Sequence, residues 1–208
     1  MDDLKSDIDK DSTRQKILNT AIQEFANFGK AGARVDRIAA QAGVNKAMIY
    51  YHFNSKDNLY YASITEHITN TAVIIHQRIS ADISLEEMIR ELVDVYFRLF
   101  NSSNYFKKIL IRELAENNSP IINKIAETIN QMGIPNILKD KLLTEMEKGR
   151  VKKHDVKQAL ASLISMNIGF FIISPIISKI LNLDDFDNFL TARKEAVVDL
   201  FLNGVLIK

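Results

Sequence analysis

The chain has 208 residues, of which 47% are apolar and 25% charged, which excludes wholesale disorder and leaves room for a sizeable core. Seven Gly and three Pro are too few for a turn-rich β-sandwich or barrel, and the absence of Cys excludes disulfides, thiolate nucleophiles and zinc–thiolate sites. The net charge of +1 speaks against a nucleic-acid partner until it is divided: residues 1–11 carry −3, residues 12–60 carry +4, and the rest carries 0.

The opening MDDLKSDIDKDSTRQ is acidic and polar and lacks the basic and apolar regions of a signal peptide, so the cytosol is the expected compartment. Ser12-x-x-Gln15 reads as a capping box that opens a first helix, with Ile17, Ala21, Ile22, Phe25 and Phe28 on one face and Gly29 as its stop. A short helix from Val35 to Gln41 follows, then Gly43, then a third helix from about Asn45 to Tyr51. Ser55 caps a fourth helix over about 56–80, and Ser84-x-x-Glu87 opens a fifth that runs to about Asn101.

Residues 105–117 form the next helix, and Ser119-Pro120 restarts the chain as cap and first helical residue. Gly133 and Pro135 separate two further helices, Gly149 ends the second, Asp155-x-x-Gln158 caps a long helix to about Leu181, and a last helix spans about 185–206. No strand or repeat emerges, so the fold class is all-α. Within this series, residues 158–178 hold no charge over a length that spans a bilayer. Gln158, Ser162, Ser165, Asn167, Ser174, Pro175 and Ser178 are a heavy polar load for a single span, so burial in a core or a subunit interface is the expected reading, not a membrane.

VDRIAAQAG-VNKAMIYYHF, residues 35–53, meets the demands of a helix-turn-helix. Ala39 and Ala42 let two helices cross closely, Gly43 permits the turn, and Val44 and Ile49 fill the angle between them. Asn45, Lys46, Met48, Tyr50 and His52 are left to the outer face, where they can reach bases or phosphates. Phe53 belongs to the core.

At eleven fixed positions, residues 12–60 resemble the DNA-binding domain of the TetR family of bacterial transcriptional regulators. These are Val35, Ile38, Ala39, Ala42, Gly43, Val44, Tyr50, His52, Phe53, Lys56 and Leu59. The resemblance implies a three-helix DNA-binding domain over 12–60, with its helix-turn-helix at about 34–53. It also implies a larger helical ligand-binding and dimerisation domain over 61–208. Arg34, Asn45, Lys46, Ala47, Met48, Tyr50, Tyr51, His52 and Lys56 are the implied DNA contacts. Among them, Tyr50, His52 and Lys56 would meet phosphates, Lys56 with its side chain or its backbone N–H. Two positions depart from the family pattern. Ala33-Arg34 stands where Ser or Thr usually caps the second helix, and Arg34 can supply a stronger phosphate contact. Ala47-Met48 replaces a hydroxyl-bearing pair, and Met48 can pack on a thymine methyl.

The same resemblance implies a homodimer on a double-stranded DNA operator, paired through helices of about 156–181 and 185–206, and a small-molecule effector that shifts the population away from the DNA-binding state. Candidate effector-pocket residues are Tyr96, Phe97, Phe100, Tyr105, Phe106, Ile109, Met132, Met166 and Phe170. Arg112 and Glu113 interrupt an apolar helix, either as a solvated ion pair or as contacts to a polar ligand group. His67 and His76 are nine residues apart and face opposite sides of their helix, no His-x-x-x-His or Glu-x-x-His pair exists, and no glycine-rich phosphate loop is present. The sequence thus asks for no cofactor, metal or catalysis. The expected function is a ligand-responsive DNA-binding transcriptional repressor in the cytoplasm, without membrane association. The other reading, a soluble helical small-molecule carrier, differs from it in having no affinity for DNA.

Overall fold

The computed structural model describes residues 2–79, 82–102, 104–116 and 119–207, with the side chains of 2–11, 102 and 104 left aside. Among the described residues eleven α-helices are formed: α1 Asp2–Gly32, α2 Val35–Ala42, α3 Lys46–Phe53, α4 Lys56–Arg78, α5 Leu85–Ser102, α6 Asn104–Ala115, α7 Pro120–Gln131, α8 Ile134–Glu147, α9 Val156–Ile164, α10 Phe170–Ile180 and α11 Phe186–Val205. A π turn, Ser165–Gly169, joins α9 to α10. Among the described residues the one β-type pairing is an isolated bridge, Val151 to Leu206. The chain divides into two compact units, residues 1–69 with 104–125 and residues 70–103 with 126–208, so α4 and α7 each contribute to both.

The core of the first unit is built from residues three and four apart on each helix, the spacing that puts side chains on one face. Ile17, Leu18, Ala21 and Phe25 of α1 are buried with Ile38 of α2, Ile49 and Phe53 of α3, Leu59 and Ile64 of α4, Ile109 of α6 and Ile121 of α7. Arg14 pairs with Glu66 at 2.7 Å and lies over the Phe53 ring, fastening α1 to α3 and α4. The helix α6 packs on α1. Gly29 breaks α1 with φ 70 and ψ 169, and a break of this kind deprives the preceding carbonyls of their helical donors. Arg112 takes their place, its Nη1 donating to the carbonyls of Phe25 at 2.9 Å and Ala26 at 2.8 Å. The neighbouring Glu113 is buried and accepts hydrogen bonds from the Tyr60 hydroxyl and the Ser119 hydroxyl. Burial, and then the Glu113 bond, push the Tyr60 hydroxyl pKa upward. Arg112 and Glu113 are therefore neither a solvated ion pair nor a spare ligand anchor: each is spent on holding α6 to α1, α4 and the start of α7.

In the second unit α5 lies against α11, with Met88, Ile89, Leu92 and Val93 facing Leu190, Val197, Phe201 and Leu202 among the buried residues. Lys194 pairs with Asp94 at 2.6 Å and Arg90 with Glu195 at 2.7 Å along that contact. The Ser84–Glu87 capping box forms as expected, with Glu87 N–H donating to Ser84 Oγ at 3.1 Å and Ser84 N–H to Glu87 Oε2 at 2.9 Å. Asp155 and Asp185 cap α9 and α11 through their carboxylates. The chain around the Val151–Leu206 bridge closes the end of α11, where the Lys152 N–H donates to the Val205 carbonyl at 2.7 Å.

Two sequence expectations change. Ser12 caps nothing, because α1 starts at Asp2; no Gly or Pro interrupts residues 2–11, so the helix runs on upstream. The single long helix expected from Asp155 to Leu181 is broken by the π turn, where Asn167 Nδ2 donates to the Leu163 carbonyl at 2.7 Å. Pro175 lacks the N–H that would meet the Phe171 carbonyl, and the Ser174 hydroxyl donates to it instead at 3.1 Å. By length and composition Val156–Ile180 is apolar enough to cross a membrane, yet only 28% of its most apolar window is buried within the chain. Ile164, Ile173, Ile176 and Ile180 face outward.

At the end of α8, Arg150 holds the Glu145 carboxyl down to about 2, against burial and with help from Lys148. Arg150 Nη2 meets Glu145 Oε1 at 2.8 Å. The folded-state pKa is depressed, so this contribution is complete above the ordinary carboxylate range and is lost as pH falls towards 2. Denaturant unfolding of the wild type and of Glu145→Gln should show a stability gap that is constant from pH 8 to 6 and narrows steadily below about pH 4.5. A gap that stays level down to pH 3 would contradict this account.

Candidate nucleic-acid interface

The short helices α2 and α3 meet at Gly43, whose φ of 67 and ψ of 33 are left-handed. A Cβ there would meet no atom within 4 Å, so the backbone angle and not space calls for glycine. The turn is closed by the Val44 N–H donating to the Ala39 carbonyl at 3.0 Å. Asn45 begins α3, its Oδ1 accepting from the Ala47 N–H at 2.9 Å. Ile49 and Phe53, one turn apart, face the core.

The opposite face of α3 carries Lys46, Ala47, Tyr50 and Tyr51, all exposed, Tyr50 by 42% and Tyr51 by 65%. Asn45, at the cap, is exposed as well. Met48 and His52 are half-buried on the flank, not on the outer face where the sequence places them. The residues most turned outward are therefore Ala47 and Tyr51 in place of Met48 and His52, which follows from the helical angle once Ile49 and Phe53 are fixed inward. His52 sits edge-on to Tyr51 at 5.2 Å between ring centres, and its covered Nε2 has no partner among the described residues. Lys46 pairs with Asp36 of α2 at 2.8 Å, and Asp36 raises the lysine's pKa.

The start of α2 is held from outside. Glu24 of α1 is only 2% exposed, and its Oε1 accepts from the Arg34 N–H at 2.9 Å and from Arg37 Nε at 2.8 Å. Arg37 in turn lies 4.2 Å from the Phe28 ring centre. Glu24 thus anchors the entry to α2 through the Arg34 N–H, α2 itself has no side-chain cap of the Ser or Thr kind, and the Arg34 side chain remains exposed with no partner among the described residues. Sequence reasoning missed Glu24. Its signal was a carboxylate seven residues after Ile17 on the buried stripe of α1.

Lys56 is committed elsewhere than expected. Its Nζ donates to the carbonyls of Ala31 at 3.2 Å and Ala33 at 3.3 Å, closing the connection from α1 to α2. What the start of α4 offers an anion is its first backbone N–H groups, while Ser55 Oγ accepts from the Asn58 N–H. The sequence-derived effector residues fall in both units: Tyr105, Phe106 and Ile109 in the first, Tyr96, Phe97, Phe100, Met132, Met166 and Phe170 in the second. Two surface grooves of the second unit, about 500 and 650 Å³, are lined largely by charged residues such as Arg90 and Glu195, or Lys141 and Arg150, and by none of these aromatics.

Residues 17–62 match the profile of bacterial regulatory proteins of the tetR family. The chain is 37% identical over 67 residues to the HTH-type transcriptional repressor SCO4008 of Streptomyces coelicolor, a match that covers 32% of this chain and 35% of the relative's length. It is 24% identical over 191 residues to the fatty acid metabolism regulator protein of Bacillus subtilis, covering 91% of this chain and 94% of the relative. The crystal structure of the transcriptional regulator FadR from Bacillus subtilis in complex with stearoyl-CoA has the same fold, with a TM-score of 0.72, 22% identity, and 91% and 98% of the two chains covered.

Replacing Lys56 by Met removes two charge-assisted bonds to turn carbonyls and should lower the unfolding free energy by about 1 kcal/mol. Lys16→Met, an exposed position on α1, should leave it within about 0.5 kcal/mol. Equal denaturation midpoints for the two variants would show that the Lys56 contacts carry no weight.

Proposed function

Because the chain belongs to the TetR family of bacterial regulatory proteins, we propose that it is a ligand-responsive, DNA-binding transcriptional regulator of the cytoplasm, a repressor released from its operator by a small molecule. The observation that carries this reading is the outer face of α3. Lys46, Ala47, Tyr50 and Tyr51 stand clear of the core that Ile49 and Phe53 anchor, and the unspent Arg34 guanidinium lies at the start of α2. Such a helix enters a major groove, with the flanking cation and the N–H groups of α4 on phosphates.

One reading head binds weakly, and two heads on two half-sites solve this. The exposed Ile164, Ile173, Ile176 and Ile180, with Leu200 of α11, are a face suited to a second copy, which supports a homodimer paired through the helices of about 156–181 and 185–206. For the effector, kinship with a fatty acid metabolism regulator along nearly the whole chain favours long-chain acyl compounds.

The test is fluorescence anisotropy with DNA flanking the protein's own coding region, at several salt concentrations. The wild type should bind with a steep salt dependence, and Arg34→Ala should reduce the slope of log K against log salt by about 1 per head while lowering affinity on every sequence. Tyr51→Ala should instead weaken the specific site more than random DNA. Absence of any DNA binding by the folded dimer would leave the small-molecule carrier as the reading.

A further inference from the structure

A helix in the major groove reads bases mainly through side chains that offer two hydrogen-bonding atoms at once. Arginine does so on guanine and asparagine or glutamine on adenine, while a carboxylate accepts from cytosine. The outer face of α3 offers none of these. The helix reads KAMIYYHF, without Arg, Gln, Asp or Glu. Asn45 at its cap commits Oδ1 to the Ala47 N–H at 2.9 Å, which turns the amide along the helix and away from the paired contact that adenine requires. Lys46 is held by Asp36 at 2.8 Å, and withdrawing it to reach a guanine would leave an exposed carboxylate facing the phosphates. His52 is half-buried with its Nε2 covered. What remains are single groups, the Asn45 Nδ2 and the hydroxyls of Tyr50 and Tyr51, and a single donor finds acceptors on guanine, adenine and thymine alike.

What α3 presents outermost is apolar. Ala47 and Tyr51 lie one turn apart on the same line of the helix, both exposed, and the Tyr51 ring is met edge-on by His52. Tyr50 stands beside them. In the major groove the one methyl group that an unmodified base presents is that on C5 of thymine. We infer that α3 selects its DNA site by thymine methyls: the Ala47 methyl and the Tyr51 ring close on the C5 methyl groups of thymines in the half-site, and hydrogen bonds to base edges are secondary. The contact expected of Met48 passes to these two residues, because Met48 is half-buried on the flank. The inference rests on the DNA-binding reading above and adds what the helix reads. A site recognised in this way carries its information in thymines, and the same sequence stripped of its C5 methyls is a poor ligand.

The test is fluorescence anisotropy of the full-length protein, at one salt concentration, on three versions of the DNA flanking its coding region. One contains thymine, one has uracil in its place, and one has 5-bromouracil, whose bromine fills the volume of the methyl. The three share every base pair and differ at C5 alone. Thymine DNA should bind more tightly than uracil DNA by about four-fold for each methyl covered, the effect of taking one methyl-sized group out of water. The bromouracil version should bind like thymine DNA. Tyr51→Phe keeps the ring and loses the hydroxyl, and it should retain the preference for thymine. Tyr51→Ala should narrow the gap between thymine and uracil DNA, with thermal unfolding unchanged because the side chain is exposed. Equal affinity of the wild type for thymine and uracil DNA would overturn the inference and leave the regulator reading standing. So would a Tyr51→Phe variant that loses the preference, since the hydroxyl would then be the reader. Absence of binding to all three versions would overturn both readings together.

Discussion

The placement of α2 and α3 depends on one buried carboxylate. Burying Glu24 is costly unless donors surround it, and its donors are the Arg34 N–H and the Arg37 guanidinium at the start of α2. Glu24 sits on the buried stripe of α1, so the place where α2 begins is set by the core of the first unit and not by a loop. From there little freedom remains: α2 is two turns long, Gly43 fixes the angle, and Ile49 and Phe53 fix the roll of α3. Anchoring from α1 also has a chemical consequence, since the residue before Val35 is held through its backbone N–H and can be an arginine with its guanidinium turned to solvent.

The same unit includes a helix far along the chain. Arg112 and Glu113 are adjacent, one giving hydrogen bonds to α1 and the other accepting them from Tyr60 of α4 and Ser119. Adjacent residues on a helix point about 100° apart, so this pair grips two different elements at once. A charged pair within an apolar helix was the right place to look, but charge alone suggested an ion pair or a ligand contact. The partners are backbone carbonyls and hydroxyls, which have no signature in a sequence. The break at Gly29 that creates Arg112's acceptors is visible only as a glycine.

What was legible followed from local rules. The capping residues Ser55, Ser84, Ser119 and Asp155 all take the backbone bonds their spacing predicts, and Val35, Ile38, Ile49 and Phe53 face inward as their periodicity requires. The eleven-position pattern of residues 35–59 singled out the helix-turn-helix. What was not legible depended on contacts between distant residues, as with Glu24 and Lys56, or on competition between equivalent helical registers, as with Met48 and His52 on the flank of α3. The start of α1 failed for a third reason: a capping box is a permission to begin a helix, and it has no force where the preceding residues can also be helical.

The uncharged run of residues 158–178 shows why length and hydropathy do not decide environment. Its outer face, Ile164, Ile173, Ile176 and Ile180, would be covered equally well by lipid or by protein. Its polar groups discriminate between the two. Ser174 repairs the carbonyl that Pro175 leaves free, Asn167 repairs only half of its own amide, and Arg193 from the next helix leans on Phe170 with an unmet donor. Hydrocarbon supplies neither an acceptor for a guanidinium nor a donor for an amide oxygen, so a bilayer would cover the isoleucines and leave both orphans as they stand. A polar ligand or a protein surface can meet both demands.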